Sequence, residues 1–499
     1  MNRPPVRSRL STYRMVMGAT AATLLVGLAL PFIVADAEEA SVSASAAQDF
    51  GALSTDETIA PGSSDSTAGP GATDVATGAI AGQRNSSNAA GSRPGATSTA
   101  PRGPVAVANP NLKPIKVGFL LLDLAGAAGL GFPAVGSVDE QRAIYQRFTD
   151  DANAAGGIGG RPIQAVYTTF DPLRESSMRD ACLTLTDDEE VFVAISAGGF
   201  SGDSILCVTQ EHRTPLLSGV SGAPMEFYAK SAGLLFTQFW NSDRMVANLA
   251  HEAHQLGALK NKTVGILYDL RYGPASVAEQ LKRNVESLGY KVGRVSIFSA
   301  DLSEASTQVP IELNQQKSAG VEVILNMANA VLFTQFVQQA DGQQWIKPYY
   351  NSDWNGANSD FFFSNLPDSY DGNVNFTIAR VNEGRAGLAE PAIDTACRRQ
   401  AEKALGRSLP QDDPENLTFD RSCSFFQLMV KGLLAAGPSP TAQSFSQGLQ
   451  NLGKFDLPNM FGATLAPGRF DYGTTVRTMQ WKTNCKCIIP VTGFRAAKF

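Results

Sequence analysis

The stretch Gln141 to Tyr167, QRAIYQRFTDDANAAGGIGGRPIQAVY, constrains the fold most, because it joins a helix to a strand through a glycine-dense turn that carries no phosphate-binding lysine. Upstream, residues 115–122 (IKVGFLLL) read as a buried strand, and downstream 163–170 (IQAVYTTF) read as a second, which gives one β-α-β unit. Gly156, Gly157, Gly159 and Gly160 end the helix, where a positive φ costs glycine little. A dinucleotide fingerprint sets its glycines between the first strand and the helix, whereas these follow the helix. The cluster therefore reads as architecture, and the chain reads as a binder rather than a phosphate chemist.

The 499 residues, 43% of them hydrophobic, can bury one large or two medium cores, but the first hundred or so add nothing to them. Arg3, Arg7, Arg9 and Arg14 precede an apolar run from Met15 to Val34, followed by Ala35-Asp36-Ala37. That is the layout of a secretion signal with cleavage after Ala37. The run is also long enough to span a bilayer, so an uncleaved anchor with its basic end in the cytoplasm stays open. Either way the chain is exported, as a secreted or membrane-tethered protein. Residues 38–112 are dominated by Ala, Ser, Gly, Thr and Pro, and burial cannot offset the entropy of ordering them, so a disordered linker is expected.

A net charge of -6 with no basic stripe excludes a general nucleic-acid binder. Six cysteines in an exported chain favour disulfides. Cys182 with Cys207 and Cys397 with Cys423 are the expected bridges, while Cys485 and Cys487 either bridge to each other or exchange partners with the second pair. A lone CxC does not supply the four ligands of a zinc site. No metal and no cofactor are expected.

From Ile115 onward strands and amphipathic helices alternate. Strand-like runs at 115–122, 163–170, 191–197 and 215–219 form a first parallel α/β set, and after a loop at 222–233 the pattern restarts with strands at 263–269, 291–298, 321–327 and 348–353. The remainder, 371–499, is too short and broken for a third domain and returns to both sets. The expected fold class is thus α/β, two Rossmann-like lobes joined by a hinge of several crossings. Lobe 1 takes 113–237 with about 372–455, and lobe 2 takes 238–371 with about 456–499. A ligand cleft lies between them, beyond the carboxyl ends of the strands.

With IKVGFLL, NAAGGIGGRPIQ, Phe170-Asp171-Pro172, LLSGVSGAP and Asp269-Leu270-Arg271-Tyr272-Gly273 in this order and spacing, the chain resembles the type I periplasmic binding fold, specifically the branched-chain amino-acid (leucine, isoleucine, valine) substrate-binding proteins of ABC transporters. The resemblance covers roughly 113–434. It implies that the turn Val220, Ser221 and Gly222 holds a ligand carboxylate, that Tyr272 covers the ligand, and that Asp353 pairs with its ammonium. Desolvating a zwitterion requires both ends to be satisfied. Asn329 stands where the family has a second aromatic contact, and Gly198-Gly199-Phe200-Ser201 replaces a serine-rich turn, with Ser201 keeping a hydroxyl. Phe200 and Trp240 are further candidate contacts, and Trp354 could line the cleft or pack on the hinge. The resemblance also implies an amino acid or related carboxylate as ligand and an ABC permease as partner.

Two other functions compete. A tethered sensor or receptor-like module would use the same cleft without transport. An amidase or other hydrolase would use Gly219-Val220-Ser221-Gly222-Ala223 as a nucleophile elbow, but His251 and His254 lie in one helix-like segment soon after it and no base follows in the usual order. His251-Glu252-Ala253-His254 is one residue short of HExxH.

Overall fold

The first β-α-β unit forms around the glycines that end its helix. In the computed structural model Gly156, Gly157, Gly159 and Gly160 all have positive φ, and a Cβ on Gly157 would lie 2.1 Å from the Arg161 carbonyl oxygen. No larger residue fits there. Asn153 locks the end of the helix to the next strand, its side chain donating to the Ile163 carbonyl and accepting from the Ile163 amide. The structure describes residues 107–128, 136–354, 360, 365–413 and 415–499, without the side chains of Tyr272 and Leu417. The expected signal or anchor segment, and nearly all of the expected linker, lie outside the described residues. Among the described residues no helix is long and apolar enough to cross a membrane.

The strands are β1 Ile115–Leu122, β2 Ile163–Phe170, β3 Val193–Ser196, β4 Leu216–Ser218, β5 Leu235–Thr237, β6 Thr263–Asp269, β7 Lys291–Phe298, β8 Val323–Met327, β9 Tyr349–Asn351, β10 Val374–Thr377, β11 Gly453–Phe455, β12 Ala463–Leu465, β13 Thr475–Lys482, β14 Cys487–Pro490 and β15 Arg495–Ala496. The helices are α1 Ala125–Ala128, α2 Val138–Ala154, α3 Glu175–Leu183, α4 Asp203–Leu206, α5 Met225–Lys230, α6 Ser242–Gln255, α7 Ser276–Ser287, α8 Leu302–Ser318, α9 Ala330–Gly342, α10 Ala392–Leu405, α11 Asn416–Ala436 and α12 Ala442–Gln450. The first sheet is parallel throughout, in the order β2-β1-β3-β4-β5. The second runs β7-β6-β8-β9-β10 in parallel, then β13 and β14 antiparallel. Both parallel runs thus share one strand order, and the fold is α/β with two similar lobes.

Helices α10 and α11 pack against α2, and α11 also meets β3 and β4, so the late helices complete the first lobe. β5 and β10 were not anticipated: three and four residues carry too little pattern to read as strands. β10 pairs with β9, so the passage back to the first lobe follows Thr377, later than the expected change near 372. Three passages join the lobes and bond to one another. Thr237 and Asp471 pair in parallel bridge geometry, the Thr237 amide donating to the Phe470 carbonyl and the Tyr472 amide to the Thr237 carbonyl, the Trp240 indole donates to the Gly473 carbonyl at 2.9 Å, and Arg380 donates its amide to the Asn459 carbonyl. Buried Asp471 anchors this hinge by accepting from the Asn241 amide and pairing with Arg244.

Three disulfides close local loops: Cys182–Cys207, Cys397–Cys423 and Cys485–Cys487. The last pair bridges within itself. Cys397–Cys423 ties α10 to α11 across a sequence separation of 26. Replacing both by serine should cost about 3 kcal/mol of unfolding free energy, by loop-closure entropy. Urea unfolding of the double variant checks this; no change in midpoint would mean that helix packing alone fixes α10 on α11.

Candidate functional site

Strand order reverses between β1 and β3 in one lobe and between β6 and β8 in the other, and ligands of open α/β sheets bind outside the carboxyl ends at such points. The first lobe presents there Gly198-Gly199 after β3 and Val220-Ser221-Gly222 after β4. The second presents Asp269 to Tyr272 after β6, Asn329 after β8 and Ser352 to Trp354 after β9. The two edges meet. The Trp354 indole lies on Gly222, so close that a Cβ there would be 2.0 Å from a ring carbon. Arg271 donates to the Pro172 carbonyl at 3.4 Å, and Gly273 abuts Pro224.

The candidates occupy different depths of this edge. Val220 and Ser221 are buried in the turn, with the Val220 amide donating to the Ser218 hydroxyl. Gly222, at φ +70, donates its amide to the Trp240 carbonyl at 2.9 Å. Asp353 is buried and accepts from the Thr377 hydroxyl and, at 2.8 Å, from the Ile378 amide. Tyr272 ends the 3-10 turn Leu270–Tyr272; its side chain lies outside the described residues. Ser201 and Phe200 sit deeper in the first lobe, Phe200 edge-on to Phe170 at 5.4 Å and the Ser201 amide on the Met178 sulfur. Asn329 caps α9 through the Leu332 amide, and its own amide donates to Asp269. Trp240 is placed in the hinge, edge-on to Phe499 at 5.0 Å.

The structure adds a residue that the sequence reading passed over. Arg421, on α11, is half-buried with its Nε shut off from solvent; its Nη1 comes 3.9 Å from where a Cβ on Gly198 would be, and its guanidinium lies 5.1 Å from the Phe239 ring centre. Burial pushes its pKa down to about 10, against the opposing charge of Asp353 and the neighbouring Tyr472. It remains a cation at neutral pH. No local signal could have found it: Arg421 stands between Asp420 and Ser422, on a helix that meets the first sheet only once the chain returns to the first lobe. Asp269, at the end of β6, is raised to about 6 by burial, opposed by the Asn329 and Arg271 amides that it accepts.

Residues 114–486 match a family model described as periplasmic binding protein, and the chain belongs to that family. No curated protein matches significantly. Among solved structures, a solute-binding protein of an ABC transporter from R. palustris, in complex with 4-hydroxybenzoate, is 14% identical at a TM-score of 0.60, covering 77% of this chain and 98% of its own. A branched-chain amino acid ABC transporter protein from Thermus thermophilus with bound valine is 15% identical at a TM-score of 0.60, covering 77% and 98%. A fatty acid ABC transporter substrate-binding protein from Thermomonospora curvata is 14% identical at 0.56, covering 77% and 93%. These likenesses establish the type I periplasmic binding fold.

Gly222→Ala should lower stability by about 2 to 4 kcal/mol, since the added methyl both meets Trp354 and strains a positive φ. Trp354→Ala in the same chain should restore part of the loss in urea unfolding; no restoration would mean that strain alone is responsible. Asp269 yields a pH signature. Its folded pKa lies above the unfolded value, so its contribution is full below about pH 4 and is lost as pH rises through about 6, by roughly 3 kcal/mol for two pKa units. The stability difference between wild type and Asp269→Asn should fall across that window and be flat above pH 7.

Proposed function

We propose that the protein is an extracytoplasmic, non-enzymatic solute-binding protein that captures an amino acid or similar small carboxylate between its lobes and delivers it to an ABC importer. The observation that carries this reading is the half-buried Arg421 guanidinium beside the Gly198 turn. An arginine kept from water is stabilised by a carboxylate that offers two oxygens to its fork. Asp353 faces it from the other lobe, so the cleft offers one cation and one anion, which suits a zwitterion as well as a simple acid. The glycines at 198 and 222 let ligand and aromatic rings approach the backbone. Ser221, Val220 and Tyr272 would complete the contacts, Tyr272 as a cover. Contacts drawn from both lobes would favour the closed arrangement, as a ligand shifts an equilibrium by its differential affinity.

Thermal-shift screening should find a stabilising carboxylate among amino acids, aromatic acids and short fatty acids, with the matching amides inert. Arg421→Met should then weaken any such carboxylate ten- to a hundredfold, the size of a charge-assisted hydrogen bond. Asp353→Asn should weaken amino acids and spare acids that lack an ammonium. Unchanged affinity in Arg421→Met, measured by calorimetric titration, would remove Arg421 from the site.

A further inference from the structure

Beside the passage from β10 to α10 lies a second concavity, distinct from the inter-lobe edge, with a cavity of about 50 Å³. Six acids line it: Asp360, Glu383, Glu390, Asp394, Asp413 and Asp420. Three of them are matched. Arg380 pairs with Asp394 at 2.8 Å, Arg398 with Glu390 at 2.8 Å and Arg477 with Glu383 at 2.7 Å. Asp360, Asp413 and Asp420 have no ion pair among the described residues. Asp360 is held by the Asn382 side chain and the Ile488 amide, which leaves the wall formed by α11 and the residues just before it.

That wall holds oxygens that lack donors. Asn416 is only 6% exposed, and its amide nitrogen donates to the Pro410 and Gln411 carbonyls. Those two carbonyls fix the amide's orientation, so its Oδ1 is the atom left over, shut off from solvent and without a donor. Asp420 Oδ1 is in the same condition. One turn apart on α11, the two share a helix face, and a buried acceptor without a donor costs about 1 to 3 kcal/mol, more when charged. The α11 macrodipole amounts to about half a positive charge, too little to balance the unpaired acids.

We propose that this cavity is a calcium site, with Asn416 Oδ1 and Asp420 Oδ1 as two ligands from α11, Asp413 as a third, and water completing the shell. Among the described residues no three of these acids bring their oxygens within 4.8 Å of one another, so a purely carboxylate cage is excluded. Calcium accepts six to eight oxygens of mixed kind in flexible geometry, whereas magnesium demands a near-ideal octahedron. The volume exceeds the roughly 10 to 15 Å³ that one water needs. Because Arg380 and Glu383 belong to the passage between lobes, the ion would tie that passage to the start of α11.

The test is calorimetric titration of calcium chloride into the full chain after removal of divalent ions with EDTA, with magnesium chloride in parallel and a thermal melt in each. The proposal predicts saturable binding of one calcium per chain and a midpoint raised by several degrees relative to sodium chloride of equal ionic strength. Asp420→Asn should abolish both effects while melting no lower than wild type in EDTA, because it removes an unmatched buried charge. Asp413→Asn, at a less enclosed position, should weaken binding and fold normally. No calcium heat, magnesium binding as tightly as calcium, or unchanged binding in both variants would overturn the assignment.

Discussion

The partial burial of one positive charge where two sheets meet sets the terms for the rest of the molecule. Arg421 cannot be enclosed cheaply, and removing a guanidinium from water is tolerated only where opposite charge and hydrogen-bond acceptors are close. Asp353 provides the opposing charge from the other lobe, and Thr377 and Ile378 hold its carboxylate in place. Those two residues end β10 and begin the second passage between lobes. The charge at the cleft is therefore anchored to the hinge itself, and any ligand that engages it acts on the element that sets the lobe angle.

Packing around this charge is close because the backbone is bare. Gly222 lets the Trp354 ring lie against the turn after β4, and Gly198 leaves room for Arg421 at the turn after β3. The same economy governs the hinge, where Trp240, Asp471 and Arg244 join passages distant in sequence. Trp240 and Asn329 are committed to neighbours through the indole and cap bonds described above, so their part in ligand recognition would be to hold the edge of the cleft.

Much of the architecture was legible in the sequence because long strands announce themselves. β1, β2, β6 and β7, each seven or eight residues of apolar or alternating pattern, fall where the pattern placed them. β5 and β10 did not, since Leu235–Thr237 and Val374–Thr377 become strands through neighbours supplied by the tertiary fold. The glycines after α2 were readable as scaffold, and their positive φ values give the reason. Arg421 was not readable as a site residue: nothing local distinguishes a buried functional arginine from a solvated one, and some 220 residues separate it from Gly198. The acidic cavity assembles in the same way from α10, α11 and the passage after β10.

The most direct test of this account is a crystal structure of the protein with a carboxylate that stabilises it. The account predicts that the ligand lies between the lobes, its carboxylate within about 3 Å of the Arg421 guanidinium and its remainder against Trp354 and the Val220-Ser221-Gly222 turn. A ligand bound elsewhere, with Arg421 left facing Asp353 alone, would contradict it.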